Sequence, residues 1–112
     1  MTLITVVETT AFSNAAKGCM KKDEVDALTN VLANDPEAGD IIQQTGGIRK
    51  LRFAIGNQGK SGSVRVVYYF YNDTMPVFLM AVFAKNEKDN LSKAERNTLA
   101  KVARALRDNY GE

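Results

Sequence analysis

Histidine is absent from the 112 residues, cysteine occurs once, at Cys19, and proline twice. Without histidine, Ser-His and Cys-His nucleophile pairs, the usual zinc sites and the two-histidine chemistry of many ribonucleases are excluded. A single cysteine makes no internal disulfide, and with no histidine to activate it Cys19 reads as a small apolar residue on a short helix. Long apolar runs are also missing. The longest, VFLMAVFA from Val77 to Ala84, is too short to cross a bilayer as a helix and suits a buried strand. The opening MTLITVVETT has no basic segment and meets an acid at Glu8, so it does not read as a signal peptide, and a cytoplasmic protein with no membrane partner is expected.

One further absence is local. No acid stands between Asp40 and Asp73, and that gap holds Arg49, Lys50, Arg52, Lys60 and Arg65. Residues 1–40, by contrast, carry three lysines against seven acids, so a net charge of only +2 conceals charge sorted by segment. The remaining composition, 45% hydrophobic and 25% charged, is that of an ordinary globular protein, and the length suits one domain over residues 1–112.

Periodicity supplies the elements. Leu3–Val7 is apolar and β-branched, as a first strand requires, and a short helical piece follows over Thr10–Cys19. Val25, Leu28, Val31 and Leu32 recur at helical spacing, with acids in the first turn and Pro36 beyond the end, which predicts a helix over Asp23–Ala33. After Gly46 and Gly47 the period changes to two. In the strand Ile48–Ile55, Leu51, Phe53 and Ile55 take one face while Lys50 and Arg52 share the other. By the same alternation Arg49 falls on the apolar side. In the strand Val64–Tyr71, Arg65 joins Lys50 and Arg52 if the two strands pair with apolar faces together. The connection GNQGKSG reads as a flexible hairpin loop carrying Lys60. The fourth strand, Val77–Ala84, delivers Lys85 at its end. Ser92 and Glu95 form a capping box for a last helix, with Leu99, Val102, Ala103, Leu106 and Tyr110 as its apolar stripe and Lys93, Arg96, Arg104 and Arg107 on another face. The order predicts an α+β domain with helices on a small sheet.

Two motifs fail on inspection. Gly59-Lys60-Ser61 ends like a phosphate-binding loop, but the first glycine of that pattern would fall on Ala54, and a strand follows where a helix N-terminus is needed. No pair of carboxylates and no metal-binding constellation stands out. The cationic strands remain, as either a phosphate or RNA surface or a plain basic face. Cations placed without acids repel one another at a cost in stability.

Three fragments, NDPEAGDIIQQTGGIRKLRFA, GKSGSVRVVYYF and FAKNEKDNLSKAE, resemble in order and spacing the RelE superfamily of bacterial toxins, particularly its HigB-like branch. That resemblance implies a RelE-like fold, strand-helix-helix-strand-strand-strand-helix with a mainly antiparallel sheet. It also implies a cofactor-free, metal-independent messenger-RNA endonuclease that acts in the ribosomal A site. A cognate antitoxin, a small protein that often carries a helix-turn-helix domain, would silence it. The family's basic sheet residues correspond to Lys50, Arg52, Arg65 and Lys85 as the catalytic set, with Lys60, Asn86 and Arg96 as RNA contacts. Some members place tyrosine or histidine after the fourth strand, and residues 85–91 hold neither. Arginines at Arg52 and Arg65 suit the charge of a phosphorane. A lysine crowded by arginines sheds its proton more readily, which makes Lys50 or Lys60 the candidate base and Lys85 the candidate acid. Two other readings keep the fold without the chemistry: an RNA- or antitoxin-binding module, and an interaction protein whose sheet another chain masks.

Overall fold

In the computed structural model, which describes residues 3–57, 60–84 and 90–110, the chain runs β1 (Val6–Glu8), α1 (Thr10–Ala16), α2 (Lys22–Asn34), β2 (Asp40–Ile41), β3 (Ile48–Asn57), β4 (Lys60–Tyr69), β5 (Val77–Ala84) and α3 (Lys93–Tyr110). The strands form one sheet in the order β1-β5-β4-β3-β2, antiparallel except for the parallel β1–β5 pair. This is the expected α+β architecture, with a two-residue strand, β2, added at one edge.

Local chemistry explains the helix ends. Thr9 caps α1, its hydroxyl accepting from Phe12 N and donating to Leu79 O, which also ties the helix to β5. The Glu24 carboxylate accepts the Lys21 N–H at the start of α2. That helix stops at Asn34, two residues before Pro36, whose ring disfavours helical backbone at the residue preceding it. Ser92 and Glu95 make the expected reciprocal capping box before α3.

The sheet is buried on both faces. Phe12 and Ala16 of α1 and Leu28 and Leu32 of α2 pack with Val64, Val66, Tyr68, Val77 and Leu79 on one side. Ala103, with Leu99 and Leu106, packs α3 against Ile48, Val67, Tyr69, Phe78 and Met80 on the other. A strand covered on both faces needs no polar residues, which is why β5 reads as one apolar run. A bulge at Met80, between the Tyr68–Leu79 and Val67–Ala81 pairs, places Met80 and Ala81 in succession on the α3 side. Val31 and Val102, counted with the apolar stripes of their helices, are 40% and 41% exposed, because the arc each helix buries is narrower than its run of apolar residues.

Several boundaries differ from the sequence expectation. The first helix ends at Ala16, so Cys19 lies in the turn after it and not on the helix. The first strand pairs at Val6–Glu8, where β5 faces it, and not from Leu3. The strand expected to run to Tyr71 leaves the sheet after Tyr69. The glycine-rich connection is not a long loop: β3 continues to Asn57 and β4 begins at Lys60, the two residues being paired. Backbone pairing satisfies donors and acceptors whatever the side chains are, and Gly56 and Gly62 face open space, so nothing stops the ladder from extending. No helix among the described residues is long and apolar enough to cross a membrane.

Candidate nucleic-acid interface

The β3–β4 register decides where the cations lie. Arg52 stands directly opposite Arg65, and Lys50 opposite Val67, so all three project from the face that α3 covers only in part. Arg52, Ala54 and Gly56 are exposed beyond the helix. Arg65 comes from β4, the middle strand of five, and is half-buried between Arg52 on β3 and the buried Phe83 on β5.

Like charges directly opposite on paired strands are destabilising. One group relieves this pair: the Ser63 hydroxyl oxygen accepts from Arg52 Nε at 3.3 Å and from Arg65 Nη1 at 3.2 Å. A hydroxyl offers two acceptor positions, so it serves both guanidiniums at once. The ion pairs between described residues are Lys22–Asp26 and Arg49–Glu37, which leaves Lys50, Arg52 and Arg65 without a carboxylate partner. Two guanidiniums on adjacent paired strands, sharing a neutral acceptor and with no further hydrogen bond to the described residues, are preorganised for an oxyanion.

Beside them, a cleft of about 430 Å3 is lined by Asp40, Ile41, Ile42, Lys50, Asn90, Leu91 and Arg96. It brings Lys50 together with Arg96, two of the residues expected at the site. The Lys50 ammonium donates to Asn90 Oδ1 at 2.5 Å, and Asp40 pairs with Lys50 across β2–β3. Lys85 and Asn86 lie outside the described residues. The last residue of β5, Ala84, pairs with Val64, next to Arg65. Lys60 opens β4 instead of occupying a loop, and only its backbone is described.

Arg49 does the opposite work. On the α2 side of the sheet, with its side chain only 14% exposed, it donates to Gly39 O at 2.7 Å and pairs with Glu37 at 3.5 Å. Tyr68 Oη accepts from Gly39 N and donates to Pro36 O, both at 2.8 Å. Together they clamp the turn before β2 onto the sheet. Gly39 is required by the close approach, since a Cβ there would sit 2.8 Å from Lys50 O. Burial raises the Tyr68 hydroxyl's pKa, opposed by the Gly39 hydrogen bond and then by the Arg49 charge. This clamp fixes Asp40 beside Lys50. The acids of α2 belong to the layer on the other side of the sheet, so the charge sorted along the sequence is also sorted across the molecule.

A family model, the RelE toxin of the RelE/RelB toxin-antitoxin system, matches residues 4–111. The chain belongs to the RelE toxin family. Three site residues of this toxin were not found from the sequence: Ser63, Asn90 and Asp40. Ser63 was within reach, because it lies two residues before Arg65 and shares its face by alternation. Asn90 meets Lys50 through a contact 40 residues apart in sequence, and Asp40 through the short β2 pairing, neither of which leaves a periodic signal.

Proposed function

We propose that this toxin is an mRNA endoribonuclease acting in the ribosomal A site, silenced by a small antitoxin with a helix-turn-helix domain. Toxins of the family generally act as endoribonucleases, and the observation that carries the proposal is the Arg52–Arg65 pair, opposed in register, bonded to one hydroxyl and not ion-paired with any carboxylate among the described residues. In the reaction the ribose 2′-oxygen attacks phosphorus, the P–O2′ bond forms and the P–O5′ bond breaks. A 2′,3′-cyclic phosphate and a 5′-hydroxyl result. The pentacoordinate intermediate carries more negative charge than the diester, so preorganised cations lower its energy more than that of the ground state. Arg52 and Arg65 take that role. Lys50, held at the cleft by Asn90 and acting as the neutral amine, accepts the 2′-hydroxyl proton, and Lys85, which follows β5 in the sequence, acts as the ammonium and gives a proton to the leaving 5′-oxygen. Lys60, Asn86 and Arg96 contact flanking RNA.

The test is induction of the toxin without its antitoxin, with primer-extension mapping of transcripts, for wild type and for single alanine variants at Arg52, Arg65 and Lys85. Wild type is expected to arrest growth and cut transcripts within codons, and each variant to lose roughly 10²–10³ in cleavage rate. Undiminished cleavage by all three folded variants removes the mechanism. Absence of toxicity in the wild type leaves a binding module of the same fold.

A further inference from the structure

At the other end of β4, Tyr69 is 1% exposed and its hydroxyl has no hydrogen-bond partner among the described residues. Burying an unpaired hydroxyl costs stability, so the group calls for a ligand. A cavity of about 130 Å3 lies beside it, walled by Thr45 and Gly46 from the turn before β3 and by Ala100, Ala103, Arg104 and Arg107 from α3. The cavity follows from the sequence of α3. Positions 100, 103, 104 and 107 lie on one helical stripe, and alanines at two of them leave room where longer side chains would fill the space.

The lining chemistry selects the occupant. Empty cavities in proteins are apolar, whereas this one is lined by two arginines and a tyrosine, and it exceeds the space of one water. Thr45 does not serve Tyr69: its hydroxyl donates to Ile42 O and accepts from Ile48 N, and no hydrogen bond joins it to the phenol. Arg107 is held over the Tyr71 ring at 5.6 Å, and among the described residues neither Arg104 nor Arg107 is ion-paired. Asp108 is the carboxylate near the phenol.

We propose that this cavity binds a phosphate group of the RNA backbone flanking the cleaved step, with Tyr69 Oη donating to one oxygen and Arg104 and Arg107 neutralising the charge. The choice of RNA rests on the function proposed above: Tyr69 and Arg65 share a face of β4 four residues apart, or ~13 Å, so one strand of RNA reaches both. The site holds and orients substrate and takes no part in the chemistry.

The test uses the full-length toxin and two probes. In thermal unfolding at matched ionic strength, inorganic phosphate is expected to raise the wild-type Tm relative to chloride, and Tyr69→Phe and Arg104→Gln to abolish the rise. Tyr69→Phe removes the orphan hydroxyl and is expected to be no less stable than wild type without phosphate, so a folding defect is not the explanation. Ala100→Leu, which fills the cavity and keeps both arginines, is expected to have the same effect. With a single-stranded RNA oligonucleotide, the slope of log affinity against log salt should become shallower by about 0.7 in Arg104→Gln, the loss of one phosphate contact. A phosphate-dependent Tm rise with an unchanged RNA slope overturns the RNA assignment in favour of free phosphate. No Tm rise and an unchanged slope overturn the site, leaving a water-filled cavity. Because both readouts measure binding, failure of the nuclease proposal, read from cleavage by the Arg52 and Arg65 variants, leaves them interpretable.

Discussion

Replacing Arg65 by glutamine should make the toxin more stable and less active. Both guanidiniums bond the Ser63 oxygen, which keeps the two nitrogens within roughly 6.5 Å of each other. Two unit charges at that separation repel by about 0.6 kcal/mol at the dielectric of water and about 2.5 kcal/mol at an effective value of 20. Arg52 is exposed and Arg65 half-buried, so the repulsion lies toward the lower figure. Against it stands the charge-assisted Arg65–Ser63 hydrogen bond, which at this partly exposed site is worth about 1.5 kcal/mol, the low end for a charged donor, and which the glutamine amide can largely replace. Glutamine also keeps most of the stem that lies beside Phe83. The expected net gain is a few tenths to about 1 kcal/mol at low ionic strength, a Tm rise of roughly 2–6 °C. In 1 M salt, where the Debye length is about 3 Å, the gain should vanish. The assay is urea unfolding of wild type and variant at both salt concentrations, with cleavage measured on the same preparations. A variant less stable than wild type at low salt, or a gain that persists in high salt, refutes the view that this pair is kept for function against a stability cost.

Ser63→Ala removes the acceptor that orients both guanidiniums and is expected to lower the cleavage rate by about tenfold or more at saturating RNA, with partial rescue by Ser63→Thr; equal activity of all three proteins would remove Ser63 from the positioning role. Tyr68→Phe strips the clamp on the turn before β2 and leaves the Gly39 N–H unpaired, with an expected loss of about 1–3 kcal/mol in denaturant unfolding. A change under a few tenths would mean that water replaces the hydroxyl. Burial raises the pKa of both Tyr68 and Tyr69, so their contribution to stability is complete below the ordinary tyrosine value of 10.0 and falls as pH rises through their folded values, since the unfolded chain ionises first. Denaturant midpoints across that range, with a shallower decline in Tyr69→Phe, check the sign; an increase in stability on passing pH 10 would contradict it.

Much of the fold was legible because each long element satisfies several local rules at once. The box of Ser92 and Glu95 marked the start of α3, and Val77–Ala84 matched β5 residue for residue. Alternation assigned Lys50 and Arg52 to one face and Arg49 to the other, and the strand register meets the condition under which Arg65 joins the first two. The errors came where pairing partners decide. Gly56 and Gly62 read as loop residues by composition, yet they extend the hairpin because the opposing strand supplies their hydrogen bonds. The two-residue β2 has no signal of its own and exists because Tyr68 and Arg49 hold the preceding turn in place. Contacts made by single residues across the fold, such as Asn90 with Lys50 or the orphan hydroxyl of Tyr69, follow from packing geometry and have no periodic trace. The α3 arginines, read as sharing a face away from the apolar stripe, divide in the structure: Arg104 is exposed, while Arg107 is half-buried over Tyr71.

The measurement that bears most directly on the central claim is single-turnover cleavage of an mRNA on purified ribosomes by wild type and by the Arg52→Gln, Arg65→Gln double variant, with ribosome binding and urea unfolding recorded in parallel. The arrangement of the sheet predicts cleavage slowed by more than about 10²-fold in a protein that is at least as stable as wild type and still binds. Cleavage at the wild-type rate by that folded variant would contradict it.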